Sequence, residues 1–239
     1  QTVSIQGRRA NCAAGSGCTA TAYTTLATWA ILAQPAPPSG GAKSPNLTAV
    51  CSATDVSLSS INAGTGGIGC ADDYIWLIDG VSQGGYTPGA NVGSGATVGQ
   101  TISIQGRRAN CDALSGCTGT SYTTLASWTV VAQPTGPSGG TKSPNVATVC
   151  AGTNMMLSAP ASGSGGSGCA DDYIWLIDGV SQGAYSPGTN IGSAATDGQT
   201  VSIQGRRANC SALSGCTGTS YTTLASWTVV AQPSSGTVT

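Results

Sequence analysis

Apolar and polar residues alternate with a period of two over short stretches of this chain, and no 3.6-residue helical period appears anywhere. Across 122–132, Tyr122, Thr124, Ala126, Trp128 and Val130 fall on one face and Leu125, Thr129 and Val131 on the other, which predicts a strand with one buried side. Ile102 and Ile104 alternate with Thr101, Ser103 and Gln105 in the same way. Asp79-Gly80 interrupts two extended runs and predicts a hairpin, because both central positions of the favoured two-residue turn need positive φ. Thr87-Pro88-Gly89 predicts a second turn, with proline presetting φ.

This pattern returns every 99 residues, and 74 of 99 positions are identical between 36–134 and 135–233. Recent duplication explains such identity without selection, so it marks copies rather than importance. The differences cluster in 52–68, where 11 of 17 positions change. Pro/Gly-rich connectors at 34–41 and 133–140 divide the chain into a leading piece, 1–35, and two whole modules, 36–134 and 135–239, the last carrying the start of a further linker. The leading piece matches only the last third of a module and has too little apolar surface to fold alone, so the sequence reads as a window on a longer array. Short strands about ten residues apart in a unit of roughly 100 residues predict an all-β fold of tandem immunoglobulin-like β-sandwich repeats, with Trp76 as the core tryptophan of the third strand.

Composition narrows the function. Charged residues are only 7% of the chain and glycines number 36, so hydroxyls and amides must coat the surface. A net charge of −1 with eight Lys and Arg argues against nucleic acid or an anionic membrane as partner. No apolar run reaches the roughly 18 residues of a membrane span, and no signal segment opens the sequence. Ten cysteines without His partners point to an oxidising compartment and an extracellular protein.

The runs Ser44-Pro45-Asn46 to Val50-Cys51, Gly69-Cys70-Ala71-Asp72-Asp73-Tyr74, Asp79-Gly80, Tyr86-Thr87-Pro88-Gly89, Gly106-Arg107-Arg108 and Gly116-Cys117-Thr118 together resemble the Ig-like or PKD-like repeat of giant Bacteroidota surface adhesins. These include the SprB-like gliding-motility adhesins exported by type IX secretion. The resemblance spans the whole chain and implies a filament-like protein at the cell surface, serving in attachment or gliding, whose partners are neighbouring repeats and surface polysaccharide.

Candidate chemistry is sparse. Each module holds four cysteines: Cys51, Cys70, Cys111 and Cys117, then Cys150, Cys169, Cys210 and Cys216; the leading piece adds Cys12 and Cys18. That even number favours Cys12–Cys18, Cys111–Cys117 and Cys210–Cys216, leaving Cys51–Cys70 and Cys150–Cys169, although parity leaves two other connectivities per module open. A zinc site would need a CxxC knuckle or His, and neither is present. Asp72 and Asp73 should face Arg107 and Arg108 across antiparallel strands, with one pair turned inward or under a loop and one at the surface; Asp171, Asp172, Arg206 and Arg207 repeat the cluster. Its plain reading is an ion pair that fixes register, and its sharper one a calcium site on the carboxylates. Tyr86 and Tyr185, beside their turns, are the candidates for stacking on a glycan. With no His and no Glu, acid–base catalysis would fall to Asp alone, and the chain reads as a structural or adhesive fibre rather than an enzyme. A carbohydrate-binding array and a laterally self-assembling filament are the alternatives.

Overall fold

The computed structural model describes residues 1–10 and 12–233. Among these residues the chain is all-β, with no helix. Residues 1–35 supply one antiparallel pair, β1 (Thr2–Gly7) and β2 (Thr24–Ala30). The next 99 residues carry β3 (Ala42–Ser44), β4 (Ala49–Cys51), β5 (Ser57–Ser59), β6 (Ala71–Ile78), β7 (Val81–Gly85), β8 (Thr101–Ala109) and β9 (Thr123–Val131). The last copy repeats them as β10 (Thr141–Ser143), β11 (Thr148–Cys150), β12 (Met156–Ser158), β13 (Ala170–Ile177), β14 (Val180–Ala184), β15 (Thr200–Ala208) and β16 (Thr222–Val230).

Both copies build one five-stranded sheet, in the order β4-β9-β8-β6-β7 and β11-β16-β15-β13-β14, and one two-stranded sheet, β3-β5 and β10-β12. All neighbours are antiparallel except β4 on β9 and β11 on β16, which run parallel at the sheet edge. Alternation places Ile102 and Ile104 of β8 with Ala126, Trp128 and Val130 of β9 on one buried face. Leu58 of the small sheet joins the same cluster, so the two sheets form two layers around a core. Each aliphatic side chain fully buried there contributes roughly 1.5–3 kcal/mol.

In the first full repeat the fully enclosed tryptophan is Trp128, whose Nε1 donates to the Pro45 carbonyl at 2.9 Å; Trp76 is half-buried and packs against the cluster from β6. At the β6–β7 hairpin Asp79 and Gly80 both take positive φ, 48° and 79°, and the Asp79 carboxylate accepts from the Thr101 amide at 2.7 Å. The turn at 87–90 closes through the Ala90 amide on the Thr87 carbonyl, 2.9 Å.

The Pro/Gly stretches read as connectors are tied into the repeat that follows them. Ala36 exchanges backbone hydrogen bonds with Thr65, and Ser39 with Asn62. Pro38 is buried against Gly106 of β8, where an added Cβ would come within 2.8 Å of the proline ring. Residues 36–39 therefore act as a fixed strap, which sequence composition did not indicate.

Candidate functional site

The polar cluster and the cysteines converge on the seam between successive repeats. In the β6–β8 ladder Asp72 lies opposite Arg108 and Asp73 opposite Arg107. Adjacent residues point to opposite faces of a strand, so the two pairs separate. Asp72–Arg108 closes at 3.0 Å with side chains 12% and 19% exposed, and Asp73–Arg107 at 2.8 Å with side chains 34% and 37% exposed. The second repeat carries Asp171–Arg207 at 3.1 Å and Asp172–Arg206 at 2.9 Å.

The outer pair is a three-part unit. Tyr122 donates its hydroxyl to Asp73, and the Arg107 guanidinium lies over the Tyr122 ring, 4.4 Å from its centroid. The Tyr122 hydrogen bond, aided by Arg107, lowers the Asp73 pKa against the opposing pull of desolvation. Burial, and then the bond to Asp73, raises the tyrosine's own pKa.

The inner pair shapes a loop. Asp72 accepts the Gly64 amide at 2.9 Å, and Arg108 Nε donates to the Gly66 carbonyl at 2.9 Å. These bonds present Gly67, whose amide donates to the carbonyl of Ala33 in the preceding unit at 3.0 Å. Ninety-nine residues later, Asp171 holds Gly163, Arg207 holds Gly165, and Gly166 donates to Ala132. The ion pair thus organises the surface on which the preceding repeat seats.

Glutamine closes the other side. Gln133 donates to the Gly215 carbonyl at 3.0 Å and accepts from the Thr217 amide at 3.0 Å. Gln34 makes the equivalent bonds to Gly116 and Thr118, at 3.3 and 3.2 Å. At the seam between the two full repeats a covalent bond joins them. Cys51 at the end of β4 is disulfide-linked to Cys216, 165 residues away, with Cα atoms 5.0 Å apart. The Cys51 amide donates to the Ser214 carbonyl at 2.8 Å, and the Thr54 hydroxyl donates to the same oxygen at 3.1 Å. Ser214 is 1% exposed as a result.

The pairing expected from parity is therefore corrected. Cys70 precedes β6 and Cys111 follows β8, and the ladder that pairs Ala71 with Ala109 brings these two sulfurs together; Cys169–Cys210 forms likewise. Cys12, Cys18, Cys117 and Cys150 carry free thiols. Five-residue spacing was a poor guide, because strand register rather than nearness in sequence decides which sulfurs meet.

The glycan assignment of Tyr86 and Tyr185 is corrected too. Tyr86 is 6% exposed, its hydroxyl accepting from the Leu58 amide at 2.7 Å and donating to the Leu58 carbonyl at 2.9 Å. Tyr185 does the same on Leu157. The turn after each tyrosine folds back onto the small sheet, through Gly89 to Leu58 and Gly188 to Leu157, and drives the ring inward. As to calcium, Asp72 and Asp73 are each engaged by an arginine and face apart. Among the described residues no three His, Cys, Asp or Glu side chains gather into a metal site.

The glutamine clasp, Thr54 and Gly215 were not anticipated. Three disulfides suit an oxidising, non-cytoplasmic environment. Among the described residues no helix is long and apolar enough to cross a membrane. No protein-family model matches the chain, and no curated protein matches it.

Proposed function

We propose that the chain is a segment of a load-bearing, adhesive fibre at the cell exterior, built from Ig-like sandwiches in series and acting by shape rather than by catalysis. The observation that carries this reading is the Cys51–Cys216 bond, a covalent tie between successive repeats. Tension entering at residue 51 leaves at residue 216 through sulfur, bypassing the hydrogen-bonded ladders between them. The Ig-like assignment draws support from the order β4-β9-β8-β6-β7, in which β6, β8 and β9 stand as strands C, F and G do in such a sheet. The sequence resemblance contributes the adhesive role: many weak contacts to a surface or polysaccharide add by effective concentration along a long array.

Pulling the oxidised full chain by its two ends tests the proposal. At roughly 3.3–3.6 Å per extended residue, the bypassed segment withholds on the order of 550 Å of extension, which a thiol reductant releases. Equal extension before and after reduction would contradict the load-bearing reading.

A further inference from the structure

Two disulfides meet at the seam between the full repeats, and their surroundings differ. Cys51–Cys216 links the repeats, while Cys169–Cys210 is a staple within the second one. They lie close together: the Ser167 amide donates to Cys216 Sγ at 3.1 Å, and Ser167 stands two residues before Cys169. Cys169, Cys210 and Cys216 are all half-buried. Of the four, Cys51 alone is closed off, at 1% exposed. Its amide is tied to Ser214, and the next amide, that of Ser52, donates to the Val131 carbonyl at 3.0 Å, so its backbone is held on both sides.

A thiol reduces a disulfide by attacking one sulfur and expelling the other as thiolate, so the rate depends on access to the first sulfur and on how well the second carries charge. In Cys51–Cys216 these two requirements fall on opposite ends. Cys216 can be reached, but attack there expels Cys51, whose thiolate would be shut away from water with Sγ 3.4 Å from the Ala132 carbonyl oxygen. The better leaving group is Cys216, whose sulfur already accepts the Ser167 amide, but expelling it requires attack on the enclosed Cys51. Cys169–Cys210 carries no such mismatch, because both of its sulfurs belong to half-buried residues.

We propose that the seam is a two-tier redox device: a small-molecule thiol opens the Cys169–Cys210 staple and leaves the Cys51–Cys216 link closed, so that a repeat loosens while its bond to its neighbour holds. In the first step the reductant's thiolate attacks one staple sulfur, forms a mixed disulfide and expels the other cysteine. A second reductant thiolate then attacks the reductant's own sulfur in that mixed disulfide, forming the reductant's disulfide and freeing the remaining cysteine. Two electrons pass to the protein, and the two protons that leave the reductant's thiols end on the two cysteines. The consequence for the fibre, compliance gained without loss of continuity, rests on the load-bearing reading; the difference in reactivity between the two bonds does not.

The test exposes the full oxidised chain to reduced glutathione and maps acid-quenched samples over time by non-reducing mass spectrometry. The Cys169–Cys210 peptide should disappear at least about tenfold faster than the Cys51–Cys216 peptide, and the glutathione adduct that first breaks the link should sit on Cys216. In denaturant the two rates should converge, because the protection belongs to the fold and not to the sulfurs. Gly215→Ala disturbs the cover over Cys51, since a Cβ there would collide with Thr54. In that variant the link should be reduced faster while Cys169–Cys210 keeps the parent rate. Equal rates in the folded parent, a first adduct on Cys51, or a difference that persists in denaturant would each overturn the two-tier device. The fibre reading would survive those results as long as the oxidised map contains Cys51–Cys216; a map without that bond would overturn both.

Discussion

Tyr122 donates to Asp73 across a 2.6 Å hydrogen bond, and Tyr221 does so to Asp172 at the same distance in the next repeat. The bond gives folding a pH dependence on two flanks. Asp73 is held below its ordinary 3.8, so its contribution is complete above about that pH and is lost as pH falls through the lowered folded value. Tyr122 is held above its ordinary 10.0, so its contribution is complete below that pH and is lost as pH rises through the raised folded value. Asp73 and the Arg107 beside it are 34% and 37% exposed, so the gain is the modest one of a screened charged hydrogen bond, about 1 kcal/mol per repeat. Replacing both tyrosines, Tyr122→Phe and Tyr221→Phe, should lower the denaturant midpoint at neutral pH and flatten both flanks of its pH profile. An unchanged acid flank in the double variant would rule the account out.

Tyr86 tests the buried polar bond in the core. Its hydroxyl satisfies both the amide and the carbonyl of Leu58, and Tyr86→Phe leaves that amide without its partner in a closed interior. The expected cost is about 1–3 kcal/mol, read as a lower thermal midpoint. A variant as stable as the parent would contradict this placement.

Gly106 has no room for a side chain. A Cβ there would meet Pro38 at 2.8 Å and Leu125 and Tyr74 at 2.9 Å, three groups that come from the strap, β9 and β6. Gly106→Ala should therefore push the 36–39 strap off the sheet and cost about 1–3 kcal/mol. Gly85→Ala, on the open β7 edge where nothing lies within 4 Å, should stay within about 0.5 kcal/mol of the parent. Comparable denaturation midpoints for the two variants would show that the strap is not held there.

The strands around Trp128 and the Asp79-Gly80 turn were legible because each follows from local chemistry: a period of two, and two adjacent positions that need positive φ. Register was not legible. Which cysteine meets which depends on Ala71 lying opposite Ala109 and on β4 ending at a seam, and neither fact is local. Tyr86 was misplaced because a turn residue looks exposed until the turn folds back on Leu58. A usable signal did exist in the divergent stretch 52–68. The six positions there that do not change are Thr54, Leu58, Ser59, Gly64, Gly66 and Gly67. Thr54 bonds the next repeat, Leu58 fills the core, and the glycines form the loop that receives the preceding unit. An added Cβ on Gly66 would run into the Gln34 carbonyl, which explains why glycine persists while its surroundings drift.

The Cys70–Cys111 bond closes a loop of 41 residues that contains β6, β7 and β8. In the chain-entropy account a loop of that length stabilises by about 4 kcal/mol, because the reduced, unfolded chain has that much more freedom to lose. The repeated architecture supplies its own control. Cys70→Ala with Cys111→Ala removes the staple from the first full repeat and leaves Cys169–Cys210 intact in the second. Amides across 71–109 should then exchange faster by global opening, while those across 170–208, in strands of nearly the same sequence, keep their protection. The seam should survive if it is held by its own contacts, so Cys51–Cys216 should still form in the variant. Equal loss of protection in both repeats would mean that the repeats unfold as one unit through the sulfur bridge between them. No loss in either would mean that the staple adds nothing to a ladder already closed by the Asp–Arg pairs beside it.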